Sequence, residues 1–257
     1  MGFSVVDGHR VPIPGELYFQ GYEVQQLVQG FRNSQYGFEE TTYLLLFGDL
    51  PSQEQLDCFK EVLGELRQLP ESFNRDVIMK APSRDMMNVL QKCVLTLYTY
   101  DPDPNNLDIK NVLMQCLQLI AQFPVMAAYG YQAYRHYYLD KSLVIHRPKK
   151  ELSTAENILR LLRTDGKYTA LEAKVLDVCL VIHAEHGGGN NSTFTTHVLT
   201  STGTDTYSTV AASLGSLKGP KHGGANIKVQ QMFDDMKMHV KDWENEDEIS
   251  EYLQGLL

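Results

Sequence analysis

The chain has 257 residues, 43% of them hydrophobic and 21% charged, the profile of a soluble globular protein and not of a disordered one. Its formal charge of −9 disfavours nonspecific binding to nucleic acid or to an anionic membrane surface. No apolar run approaches the roughly 18 residues that span a bilayer, so no membrane partner is expected either.

In chain order, Met1-Gly2-Phe3-Ser4 has neither the basic start nor the apolar stretch of a secretion signal. Strand patterns are confined to short stretches around Val11-Pro12-Ile13-Pro14 and Glu16-Leu17-Tyr18-Phe19. Beyond them apolar residues recur at three- and four-residue intervals, the mark of helices facing a core, so the expected fold class is all-α. Ser52-Gln53-Glu54-Gln55, Ser153-Thr154-Ala155-Glu156 and Thr169-Ala170-Leu171-Glu172 read as capping boxes. In each, the first and fourth side chains satisfy each other's backbone N–H, and a helix opens. Asp101-Pro102-Asp103-Pro104-Asn105-Asn106 is a loop. Pro124 interrupts the apolar run from Val112 to Tyr134; because proline lacks an N–H and crowds the preceding turn, a kink or break is expected there. Cys58, Cys93, Cys116 and Cys179 are widely spaced in helical patterns, as expected of buried thiols in a reducing compartment, and the cytoplasm is the expected location. Asn245-Glu246-Asp247-Glu248 caps a last helix that carries Ile249, Leu253, Leu256 and Leu257 on one side. Ending on an apolar pair, that helix is expected to continue into something it packs against.

The residues that carry chemistry fall between Val181 and Asn226. In His183-Ala184-Glu185-His186-Gly187-Gly188-Gly189-Asn190-Asn191-Ser192, two histidines three apart are expected on one helix face. The glycines then end that helix and bring Asn190 and Ser192 close. Imidazoles beside amide donors suit a small molecule rich in carbonyl or carboxylate oxygen. Two blander readings stand beside this one. His183, Glu185 and His186 form a partial zinc motif, but no further ligand follows at a familiar spacing, so no metal is assigned. His183 alone also reads as a hydrogen-bonded core histidine behind Leu180-Val181-Ile182. Asp205 to Leu217 is a helix rich in Ala, Ser, Thr and Gly, whose small side chains let neighbouring backbone approach for tight packing. In Lys218-Gly219-Pro220-Lys221-His222-Gly223-Gly224-Ala225-Asn226 one helix stops and another begins just after His222. A helix N-terminus carries positive potential, which favours a neutral imidazole. Such a ring can donate a hydrogen bond to an oxygen that gains charge as an enol or enolate forms. No arginine follows Arg163, although a dicarboxylate needs two or more guanidinium or equivalent partners.

In this order the segments resemble the citrate synthase family: His183-Ala184-Glu185-His186 with its glycines and asparagine, a small-residue helix, then Gly219 to Asn226. Gly21-Tyr22, the stretch from Phe38 to Pro51 and Phe123-Pro124-Val125-Met126-Ala127-Ala128-Tyr129 agree, so the likeness covers nearly the whole chain. The resemblance implies a large and a small helical domain, here 1–222 and the start of the small one at 223–257, and a homodimer formed through large-domain helices. It implies condensation of acetyl-CoA with oxaloacetate to citrate and CoA, an acyltransferase step of the tricarboxylic acid cycle that requires no metal or redox cofactor. By the same resemblance His222 holds the acetyl-CoA thioester oxygen and stabilises its enol. His186 binds oxaloacetate, Asn190 lies near substrate, and His183 is the first histidine of the pair. There are departures. Gln20 stands where arginine usually precedes the Gly-Tyr pair, and Pro82-Ser83-Arg84-Asp85-Met86-Met87 only loosely resembles a His-Pro-Met segment of the family. The family's second catalytic histidine in a Gly-x-Gly-His motif, its general-base aspartate and its substrate-binding arginines do not follow here, in keeping with the arginine gap. The expectation is therefore a C-terminally truncated enzyme, inactive alone. Its alternatives are 2-methylcitrate synthase, with propionyl-CoA as donor, and a non-catalytic truncated dimerisation module.

Overall fold

A computed structural model describes residues 3–13, 15–31, 34–185 and 187–256. Two antiparallel hairpins open the chain: β1 (Phe3–Val6) with β2 (His9–Pro12), and β3 (Tyr18–Phe19) with β4 (Tyr22–Glu23). The two-residue turns, Asp7-Gly8 and Gln20-Gly21, have φ of 50° and 81°, and of 49° and 88°. That geometry matches the twist of the strands, and a glycine second in each turn adopts it freely. Asp7-Gly8 between Val6 and His9 is a hairpin signal of period two, outside the helical periodicity that marks the rest of the chain.

The rest is helical, and the expected all-α class holds. The helices are α1 (Val24–Gly30), α2 (Gly37–Phe47), α3 (Gln53–Leu66), α4 (Met86–Leu97), α5 (Ile109–Leu139) and α6 (Thr154–Leu162). They continue with α7 (Ala170–Ile182), α8 (Asn191–Thr200), α9 (Thr206–Lys218), α10 (Gly224–His239) and α11 (Glu246–Gln254). All three capping boxes form, at Ser52, Ser153 and Thr169, and Asn245 caps α11. Of the kink or break expected at Pro124, the break does not occur: α5 runs through it for 31 residues. Val125, Met126 and Ala128 beside the proline are buried, and this packing offsets the roughly 3 kcal/mol that a mid-helix proline costs. By length and composition α5 is also apolar enough to cross a bilayer, which the sequence reading did not anticipate. Half of its most apolar window is buried against the rest of the bundle, the position of a core helix.

The main core gathers Phe73, Ile78, Val89, Cys93, Leu97, Met126, Leu161 and Tyr207 around α4, α5 and α9. A second cluster, Phe19, Leu27, Phe31, Leu44 and Val181, seats the hairpin β3–β4 against α1, α2 and α7. Cys58 and Cys179 are exposed, Cys93 is buried and Cys116 half-buried, so the expectation of four buried thiols is corrected. Cys58 and Cys179 lie on the outward sides of α3 and α7, where helical periodicity alone does not distinguish a small thiol from a core residue.

Two buried carboxylates tie these helices together from a distance. Asp177 on α7 accepts from the N–H groups of Gly37 and Phe38 at 3.0 Å each, supplying the N-terminus of α2 with a partner its own sequence lacks. Glu39 on α2 accepts in turn from the N–H and hydroxyl of Thr154, at 2.7 and 2.8 Å, at the start of α6. Arg67 pairs with Glu39 at 3.3 Å and donates to the carbonyls of Lys149, Lys150 and Leu152. Burial pushes both carboxyls above their ordinary range, although the N–H groups pull the other way.

α10 and α11 form a hairpin beyond this bundle. Tyr252 donates to Asp235 at 2.7 Å, Glu248 accepts from the N–H groups of Lys241 and Asp242, and Met236 and Val240 are buried. Ile227, Val229 and Phe233 on α10 remain exposed.

Candidate active site

α9 is the platform of the site, and its small residues explain how closely it is approached. Gly215 faces α4 where a Cβ would sit 2.8 Å from Gln91 Nε2. On the other side α9 meets α8 along hydroxyls, with Thr196 Oγ1 2.7 Å from Ser213 Oγ. The packing role expected of this helix is the one observed. At its end Lys218 pairs with Asp85 at 2.9 Å, and this bond holds the Asp85 carboxyl below its ordinary range. Asp85 also caps α4 through Asn88 N–H, so the C-terminus of α9 is fastened to the N-terminus of α4.

The chain then turns. The Gly219 carbonyl accepts from the N–H groups of His222 and Gly223 at 3.0 Å each, and α10 starts at Gly224. Any side chain at Gly223 would drive its Cβ into the Leu217 carbonyl oxygen, so glycine is required for His222 to sit here. His222 thus lies at the head of a 16-residue helix, as its sequence context predicted. Its Nε2 is 2.8 Å from Ser192 Oγ in the first turn of α8. Ser192 Oγ is also 3.1 Å from the Ser213 carbonyl. A hydroxyl has one proton, and its destination selects the tautomer of His222. Donated to Ser213, it leaves the oxygen to accept from Nε2–H, and a neutral ring then has only a lone pair at Nδ1. Donated to Nε2, it leaves Nδ1–H free to serve an incoming oxygen.

α7 ends at Ile182 with His183 as its C-cap; the helix face expected to be shared with His186 involves a residue outside those described. The His183 ring turns back on its own helix, with Nδ1 2.7 Å from the Cys179 carbonyl, one of the acceptors a helix end leaves unpaired. His183 is exposed, which sets aside the buried-core alternative for it. His186 lies outside the described residues. Glu185 accepts from Gly187 N–H at 2.6 Å, and Gly187, at φ 104°, makes the turn that leads to α8. Asn190 caps α8: its oxygen accepts from Thr193 N–H at 2.9 Å, and its amide reaches the Gly187 carbonyl and Thr193 hydroxyl. Its side chain holds the loop that delivers Ser192. Among the described residues, no three His, Cys, Asp or Glu side chains converge as a metal site.

The structure therefore joins His222 to Ser192, places Asn190 at the base of the same helix, and leaves His183 on the preceding element. Sequence reasoning put Ser192 near the histidines but not on the ring of His222. It missed Asp177, whose only signal was a charge amid the apolar side chains of α7.

The family model described as "Citrate synthase, C-terminal domain" matches residues 2–257. Citrate synthase from Haloferax volcanii is 33% identical over 93% of this chain and 61% of its own length. 2-Methylcitrate synthase 1 from Corynebacterium glutamicum is 32% identical over 91% of this chain and 60% of its own length. Among solved structures, Pyrobaculum aerophilum citrate synthase superposes with a TM-score of 0.74 at 28% identity, covering 88% of this chain and 55% of that one. The Thermoplasma acidophilum enzyme, solved as a ternary complex with carboxymethyl coenzyme A and oxaloacetate, gives 0.73 at 26% identity over 87% of this chain and 55% of its own. The chain spans about three fifths of the length of the curated relatives it matches. With the match running from residue 2 to the last, this chain belongs to the citrate synthase family.

Proposed function

We propose that the chain carries the acetyl-CoA side of a citrate synthase active site, for condensation of acetyl-CoA with oxaloacetate to citrate and CoA. His222 donates from Nδ1 to the thioester oxygen as the enol forms, and His186 receives oxaloacetate. The observation that supports this reading is the bond between Ser192 and His222 Nε2. With the serine proton on Nε2, a neutral ring keeps Nδ1–H for the oxygen that gains charge, a fixed donor of the kind that stabilises developing oxyanions. A base must take a proton from the acetyl methyl group so that its carbon can attack the oxaloacetate carbonyl. Water then cleaves the thioester and releases CoA. The base and the guanidinium partners of oxaloacetate belong to the part of the family length that this chain does not span.

A thiol-release assay tests this. The 257-residue chain is expected to show no turnover with acetyl-CoA and oxaloacetate. Joined to the remaining two fifths of the Haloferax volcanii enzyme, it is expected to release CoA, and His222→Gln to lower kcat about 10²–10³-fold, the usual effect of removing one such donor. Turnover by the short chain overturns the assignment of the outside groups. An unimpaired His222→Gln fusion overturns the role of His222. Propionyl-CoA run in parallel decides the donor, a second reading that the 2-methylcitrate synthases among the relatives favour. The homodimer is part of the proposal and is read by light scattering. Dimers without turnover in any form are the result expected of a non-catalytic module.

A further inference from the structure

α8 depends on polar bonds for its place in the bundle. No residue of the helix is buried, and Phe194 and Val198 on its surface are 68% and 45% exposed. Apolar burial, which seats α4, α5 and α9, therefore does less to fix where α8 lies. Among the described residues, the hydrogen bonds that leave α8 and its caps end on Ser213 of α9 and on His222.

Ser213 is bonded twice. Its carbonyl lies 3.1 Å from Ser192 Oγ, and its own Oγ lies 2.7 Å from Oγ1 of Thr196. Residues four apart share a helix face, so Ser192 and Thr196 meet the same residue of α9 from successive turns of α8. Both hydroxyls also reach back along their own helices: Thr196 Oγ1 is 2.9 Å from the Ser192 carbonyl, and Ser213 Oγ is 3.0 Å from that of Thr209. Two hydroxyls have two protons for these three contacts, so one backbone contact is given up whichever oxygen donates across. When Ser213 donates, the Thr196 proton goes to the Ser192 carbonyl. A ring of bonds then closes, from Ser192 to Ser213 to Thr196 and back to Ser192. One bond alone lets α8 pivot about it; a second, about 5.4 Å along the helix, fixes its rotation and its slide along α9. What is fixed is the reach of Ser192 Oγ to His222 Nε2, 2.8 Å. A shift of about 1 Å from that separation passes the limit of a hydrogen bond.

We propose that Ser213 is a positioning residue for His222: through Thr196 it holds α8 where Ser192 selects the tautomer of the ring. The inference rests on the reading of His222 as the donor to the thioester oxygen. The tautomer is read without substrate, however, and the His222→Gln fusion tests the donor role separately, so either can fail alone.

The test is made on the 257-residue chain. Ser213→Ala removes the hydroxyl but leaves the carbonyl that faces Ser192, so both partners of Ser192 Oγ remain. Thr196→Val keeps the shape of its side chain and removes the same bond from the other helix. In each, nitrogen NMR shifts of His222 are expected to report a two- to tenfold change in the ratio of Nδ1–H to Nε2–H, about the effect of one hydrogen bond on an equilibrium. The change runs in the direction that Ser192→Ala moves it. The two substitutions together are expected to do no more than either alone, because they break one shared bond. Thr196→Ser, which keeps the hydroxyl, is expected to show the parental ratio. A parental ratio in Ser213→Ala and Thr196→Val, both folded by circular dichroism, overturns the proposal. A Thr196→Ser protein shifted as far as Thr196→Val overturns it too, since the hydroxyl is then not what holds the ring.

Discussion

α7 is held in two ways along its length. Asp177 is buried and bonded to the backbone of α2, across 139 and 140 residues of sequence. Less than two turns further on, His183 is exposed and, among the described residues, bonded to its own helix. The contrast repeats elsewhere. Glu39 Oε1 and the Arg67 guanidinium bond across the bundle, whereas Glu185 and Asn190 bond within the loop that contains them and the helix it opens. Most buried polar groups are paired, and pairing one to a distant helix end fixes two elements at once. Groups near the site are wetted, and local bonds shape their loop without sealing it. Among the described site residues the exception is Ser192, whose bonds to the His222 ring and to the Ser213 carbonyl join α8 to other elements.

The contrast is broken most strongly at the ion pair. Arg67 and Glu39 are 4% and 0% exposed, so Arg67→Ala leaves an uncompensated buried carboxylate and is expected to cost about 3–5 kcal/mol in urea denaturation. Arg67→Met with Glu39→Leu is expected to cost less than either change alone, since no charge is then stranded. His183→Gln is expected to stay within about 0.5 kcal/mol, the usual range for an exposed position. An Arg67→Ala protein as stable as the His183→Gln protein would show that the two regions are not held differently.

A smaller effect, in pH, sharpens the same comparison. Burial raises the carboxyl of Asp177, against the N–H groups of Phe38 and Gly37 and the ammonium of Lys174 that favour its charge. Glu40, itself raised by burial, faces the same site. A carboxyl raised in the native state binds its proton more tightly there than in the unfolded chain. It contributes stability below the ordinary carboxylate range and loses it as pH rises through the raised value. Glu172 is the opposite case: held down to about 2, chiefly by Arg163, it contributes stability that is lost as pH falls. In Asp177→Asn, the decline of Tm on raising the pH from the carboxylate range toward neutrality is expected to flatten relative to the parent. An unchanged slope would mean that Asp177 does not feel its burial.

The sequence declares what is set within a few residues. The capping boxes, the Asp101 to Asn106 loop, the helix stop at Gly219-Pro220 and the start of α10 after His222 all follow from neighbours in the chain. Where distant packing decides, the local pattern misleads. Pro124 predicts a kink or a break, but burial on both sides of it carries α5 through unbroken. His183 behind Leu180-Val181-Ile182 reads as a core histidine, but the helix ends at Ile182 and His183 becomes its exposed cap. Asp177 and Glu39 look like ordinary helix surface charges until the fold places another helix's N-terminus beside each. The Asp-Gly hairpin was legible and belonged to a different periodicity from the one that organises the rest.

The smallest expected effect bears most directly on chemistry. Ser192→Ala removes the partner of His222 Nε2 and is expected to cost only about 1 kcal/mol, the net worth of one hydrogen bond. Its consequence for the ring is larger than that figure suggests, because the lost proton is the one that selects the tautomer. If Ser192 donates to Nε2, the parent's neutral ring carries its proton on Nδ1, and nitrogen NMR shifts report it there. Ser192→Ala then moves population toward Nε2–H, and Ser192→Thr, which keeps the hydroxyl, restores the parental pattern. If the parent instead shows Nε2–H, the serine proton rests on the Ser213 carbonyl. His222 then presents a lone pair at Nδ1 where the proposed chemistry needs a donor.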